Sequence, residues 1–103
     1  MTRILATGTA VPPTVYPQSQ LANWLQSDDP LARAFFEHEH IQQRHLVLPP
    51  VDPRTGNLVQ EKTGALQERF RRSAVDLSRQ AIEQALDKRG LAFGEVDFLC
   101  CVT

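Results

Sequence analysis

Proline is absent after Pro53; all seven prolines of the 103-residue chain lie between Pro12 and Pro53. The second half is therefore free to form long regular elements, and the chain changes character near residue 55. Cysteine is scarce as well, with two residues, Cys100 and Cys101, adjacent in sequence. Neighbouring cysteines staple no loop and fit no zinc-finger spacing, which excludes a disulfide framework and agrees with a reducing, cytoplasmic setting. Long apolar runs are missing too. The longest, Phe98 to Val102, falls far short of the ~20 residues that a bilayer span requires, and the N-terminus lacks the apolar stretch of a signal peptide. Excess charge is lacking, at 11 basic against 12 acidic residues. A formal net charge of −1 argues against non-specific binding to nucleic acid or to anionic membranes.

What remains is an ordinary globular composition, 42% hydrophobic and 22% charged, enough for at most one domain. Residues 1–53 carry −2 and the rest +1, too small an asymmetry to mark a domain boundary, and there is no internal repeat. Ile4-Leu5-Ala6, running into Thr7-Gly8-Thr9-Ala10-Val11, reads as a short core strand that Pro12-Pro13 ends. Ser19 is placed to cap a short helix carrying Leu21, Trp24 and Leu25 on one side. Asp29-Pro30 opens a second one with Leu31, Phe35 and Phe36. Gln42 to Leu48 lose helical spacing and suit a loop or edge strand, with a turn at Arg54-Thr55-Gly56-Asn57.

From Gly64 to Arg89, Leu66, Phe70, Ala74, Leu77, Ala81, Ile82 and Ala85 recur at three- and four-residue steps, and Gly90 stands where the helix must stop. Leu91 to Glu95 make a loop, and Val96 to Val102 then have the length and composition of a strand buried on both faces. Few elements remain to cover such a strand. The pattern therefore predicts that residues 1–103 are the incomplete N-terminal part of a larger α/β domain, the alternative being a small self-sufficient α+β module.

Candidate chemistry is thin. His38, Glu39, His40 and His45 are ligand-type residues, but His38 and His40 lie about 200° apart on a helix and cannot face one ion, so no metal site is assigned. Cys100 and Cys101 read as small core hydrophobes, because a nucleophilic thiolate needs a base that the sequence does not place beside them. Arg69-Phe70-Arg71-Arg72 is interleaved with acidic residues and reads as a solvated helix face. Gly8 stands alone without a G-x-G-x-x-G pattern, so it supports no dinucleotide loop.

Taken in order, Ile4-Leu5-Ala6-Thr7-Gly8-Thr9-Ala10-Val11-Pro12-Pro13, Tyr16-Pro17-Gln18, Ile41-Gln42-Gln43-Arg44-His45-Leu46, Glu68-Arg69-Phe70 and Val96-Asp97-Phe98-Leu99-Cys100-Cys101-Val102-Thr103 resemble the N-terminal portion of a type III polyketide synthase, the chalcone-synthase-like family. Ketoacyl synthase III is the competing resemblance; Thr9 to Pro13 and Glu68-Arg69-Phe70 favour the polyketide synthase. The resemblance implies a thiolase-like layered α/β fold, here strand, two short helices, loop, long helix and buried strand. It also implies an acyltransferase that condenses malonyl-CoA units onto an acyl-CoA starter in a cytoplasmic homodimer. The family's Cys-His-Asn triad falls beyond the strand matching Val96 to Thr103, so no catalytic residue is assigned, and neither Cys100 nor Cys101 is the nucleophile. Plant members meet the coenzyme A phosphates with basic residues on the helix before the I-x-x-R segment. Those positions fall on Leu31, Ala34 and His38, leaving His38, with Arg33 nearby, as candidate coenzyme A contacts. Thr103 matches a threonine lining the acyl cavity. The coenzyme A thioesters enter as substrates, and no cofactor is implied.

Overall fold

The computed structural model describes residues 1–25, 28–38 and 40–102. It divides into two compact units, Val11–Phe70 and Met1–Ala10 with Arg71–Thr103.

The first unit opens on a short strand, β1 (Val15–Pro17), continues directly into helix α1 (Gln18–Leu25), then α2 (Pro30–Phe36), and returns along β2 (Gln43–His45). The two strands pair antiparallel with Val15 opposite His45, Tyr16 opposite Arg44 and Pro17 opposite Gln43. Pro17 can occupy this sheet because each strand has only one neighbour. The pairing extends past both ends of the ladder: the Gln18 amide donates to the Gln42 carbonyl at 2.8 Å and that of Leu46 to Thr14 at 3.3 Å. The His45 ring nitrogen Nδ1 lies 2.9 Å from the Pro12 carbonyl.

Gln18 begins α1, so Ser19 lies within the first turn and is not the cap expected of it. Asp29 does cap α2: its Oδ1 accepts the Leu31 amide at 2.9 Å, with Pro30 at the first helical position. Leu21 is buried and Trp24 half-buried. The Trp24 indole meets Tyr16 edge-on, with centroids 5.5 Å apart, and donates its N–H to the Gly56 carbonyl at 3.1 Å. The expected turn forms as an Asx turn, in which Asp52 Oδ1 accepts the Arg54 amide at 2.9 Å. Gly56 adopts φ 73°, and Val51 bridges Leu58.

The long helix α3 (Thr63–Asp87) begins in this unit. Arg69 on its second turn holds both ends of the preceding loop. Nε and Nη2 donate to Glu61 Oε1 at 2.9 and 2.6 Å, and Nη1 donates to the Val47 carbonyl.

In the second unit the N-terminal segment lies along the later turns of α3. Its backbone is met by helix side chains. Gln84 Oε1 accepts the Thr9 amide at 2.7 Å, Lys88 Nζ donates to the Thr7 carbonyl at 2.8 Å, and Arg89 Nε donates to Leu5 at 2.7 Å. Gly8 makes this approach possible: a Cβ there would overlap the Ala81 carbonyl oxygen and stand 2.8 Å from the Ala85 amide nitrogen. The helix ends in a Schellman motif, with Leu91 donating to Leu86 at 3.0 Å and Gly90, φ 65°, donating to Asp87 at 3.2 Å. A single 3₁₀ turn, Phe93–Glu95, follows, and Glu95 Oε2 accepts the Ala92 amide at 2.8 Å.

Two expected strands do not form. Residues 4–11 and 96–102 are irregular; Ile4 is 84% exposed and Phe98 83%. A strand is stable only when its ladder groups have a neighbouring strand, and among the described residues neither segment has one. The architecture of the described residues is therefore mixed α/β, with three α-helices and a two-stranded sheet.

Candidate functional site

Two surfaces of the first unit come together around α2. The first is the end of the helix. Arg33 is exposed in its last turn, where a cation complements the helix dipole. The Arg33 carbonyl accepts the Glu37 amide at 3.0 Å, which closes the helix. Glu37 takes φ −88° and ψ 0°, so His38 lies beyond the last helical residue. Leu31 and Ala34 are on the helix and His38 is not, so the helical face inferred for the three residues is broken after Phe36. The His38 ring stacks on His40, with centroids 4.5 Å apart and planes inclined by 28°. An open cleft of about 610 Å³ runs beside it, bordered by Gln18, Phe36, Glu37, His38 and Gln42. Glu37 makes this border less favourable to a phosphate than the sequence count suggested. Glu39 and Thr103 lie outside the described residues.

The second surface is a groove of about 540 Å³ between α1, α2 and the strand that follows them. Leu21, Trp24, Phe35, Phe36 and Leu46 supply apolar walls, and Arg44 the only charge among the described residues. Arg44 is held from behind by Gln18, which is 5% exposed: Gln18 Oε1 accepts Arg44 Nε at 3.0 Å. A planar guanidinium anchored through Nε keeps its two terminal nitrogens aimed together, a geometry suited to a carboxylate. In the sequence Gln18 and Arg44 stand only within segments that carry the family resemblance, and neither reads as a site residue. The available signal was register: Arg44 pairs with Tyr16 across the sheet, two positions before Gln18.

Cys100 and Cys101 are free thiols and exposed, not the buried hydrophobes expected, because the strand that would have enclosed them is not formed. Of the basic cluster, Arg69 is turned to Glu61 and Val47. Asp76 accepts from Gln80 Nε2 at 3.0 Å. No helix among the described residues is long and apolar enough to cross a membrane.

Comparison with known proteins gives the class to which the chain is similar. The chain's homologues are type III polyketide synthases, and what it matches is their N-terminal portion. It is 38% identical over all 103 residues to a 3,5-dihydroxyphenylacetyl-CoA synthase of Amycolatopsis orientalis. It is 37% identical over 103 residues to the same-named protein of Amycolatopsis balhimycina, and 32% identical over 101 residues to that of Streptomyces toyocaensis. The chain spans only 28%, 27% and 26% of these relatives' lengths. No protein-family model and no solved structure gives a significant match.

Proposed function

We propose that residues 1–103 are the N-terminal segment of a type III polyketide synthase that condenses malonyl-CoA units onto an acyl-CoA starter. The observation that carries this reading is the alignment of the whole chain, without residue left over, onto the opening quarter of 3,5-dihydroxyphenylacetyl-CoA synthases. The fold in this reading is thiolase-like, and the working form is a cytoplasmic homodimer.

The chemistry belongs to the complete enzyme. A cysteine thiolate outside this segment takes the acyl group from the starter and releases coenzyme A. Malonyl-CoA then loses carbon dioxide, and the resulting enolate attacks the thioester while His and Asn donors hold the developing oxyanion. The segment's own part is binding. Arg33 and His38 stand at the end of α2 as cationic or hydrogen-bonding contacts for coenzyme A phosphates, and Thr103 is assigned to the acyl cavity of the complete enzyme on the family resemblance alone.

The test is a condensation assay on the intact protein with a panel of acyl-CoA starters and malonyl-CoA. The expected result is release of carbon dioxide and free coenzyme A, with a product mass that grows by one two-carbon unit per malonyl consumed. Malonyl-CoA turned over with no carbon–carbon bond formed, or no turnover with any starter, would contradict the proposal.

A further inference from the structure

The groove above Arg44 is too exposed to be a finished surface. The chain exposes 8817 Å², whereas the area–mass relation gives about 5,800 Å² for a folded protein of 11.6 kDa and about 7,000 Å² even for its two units taken as separate domains. Part of that excess lies on the groove, where Phe35 is 71% exposed and Leu25 46%. Contiguous apolar surface of this kind marks a contact with another polypeptide or a ligand.

The chemistry of the lining narrows the occupant. Its one charged group, Arg44, has no hydrogen-bond partner for either terminal nitrogen among the described residues, and Gln18 fixes its direction. Among the described residues no carboxylate lines the groove, so a second copy laid groove on groove would set guanidinium against guanidinium. A small ligand needs most of its surface enclosed, and walls as exposed as Phe35 and Leu25 do not enclose one. A polypeptide with an apolar stripe and one acidic side chain satisfies both the walls and the cation.

We infer that this groove is the docking site for an apolar segment of the remaining condensing-enzyme polypeptide, which places an aspartate or glutamate on Arg44. The inference rests on the function proposed above, which supplies a polypeptide of the needed length: the relatives carry nearly three quarters of their sequence outside the matched region.

The experiment is photo-crosslinking in the intact protein, with p-benzoylphenylalanine in place of Phe35, an exposed wall residue of the same shape. The expected adduct is a peptide from outside residues 1–103 with an acidic residue within one helical turn of the attachment point. Arg44→Glu should cut the adduct yield about tenfold, and Arg44→Lys by less, as expected for a bidentate contact. Attachment to residues 1–103 of a second copy, to an unrelated protein, or to a peptide with no carboxylate nearby overturns the inference, as does an absence of adduct. Acylation by an acyl-CoA is measured on the same sample. Acylation intact with a wrong adduct rejects the docking site alone, and the expected adduct without acylation rejects the proposed activity alone.

Discussion

Arg69 offers a quantitative test of how the first unit is held together. Its guanidinium joins Val47 and Glu61, which bracket the turn at Asp52–Asn57, to the start of α3. The pair is largely out of water, with side chains 25% and 16% exposed, and its shorter contact is 2.6 Å. Arg69→Ala removes a forked, charge-assisted contact and leaves the Glu61 carboxylate poorly solvated. Hydrogen bonds to charged groups contribute about 1.5–3 kcal/mol, and residual exposure brings the value for this bracket to about 2 kcal/mol. If the bracket holds the loop, hydrogen exchange of the amides within it, Asp52 to the Asn57 carbonyl and Val59 to the Pro50 carbonyl, should accelerate about 30-fold. Arg69→Lys keeps the charge but not the fork and should fall between. The double variant Arg69→Met with Glu61→Gln should lose less than the sum of the single changes. Exchange within twofold of the parent in Arg69→Ala, or strict additivity in the cycle, would refute the reasoning.

Other outcomes follow from the same geometry. Gly8→Val should lift the N-terminal segment from α3, seen as loss of protection at the Thr9 amide, while the amides of α3 itself stay protected, because the added atoms meet the Ala81 carbonyl. Asp29→Ala removes the cap of α2 and should cost about 1 kcal/mol in a denaturant titration, with Asp29→Ser recovering most of it. Arg33→Glu should raise the KM for an acyl-CoA several-fold with little change in kcat, and the effect should shrink as salt is added, as for any exposed phosphate contact; a KM independent of this charge removes Arg33 from the binding surface.

The helices were legible in the sequence because each carries its own local signals. Asp29-Pro30 marks the start of α2, and Gly90 marks the end of α3 through a positive φ that needs no distant partner. The turn at residues 52–57 was legible for the same reason, since the Asx geometry uses residues two apart. Of the strands, only the loop-or-edge-strand reading of Gln42 to Leu48 met one, β2 at Gln43–His45; the others were not legible. Ile4 to Val11 and Val96 to Val102 have strand composition, but a strand is a property of a pair, and the pattern of one segment does not say whether its neighbour is present. The pairing that does form, Val15–Pro17 with Gln43–His45, is three residues long and polar on one side, too short for an alternation to stand out. The groove was hidden for a related reason: Gln18 and Arg44 are far apart in the chain, and only the β1–β2 register brings them together. Family resemblance carried what periodicity did not, because an ordered series of short motifs survives where no single one is specific.

The central claim, that these residues open a type III polyketide synthase, is tested most directly by trapping the acyl-enzyme. The intact protein is incubated with an acyl-CoA, quenched in acid, digested, and the added acyl mass is located by peptide sequencing. The account predicts one acyl thioester per active site, on a cysteine outside residues 1–103, with Cys100 and Cys101 unmodified. Stable acylation of Cys100 or Cys101, or none anywhere in the protein, would contradict it.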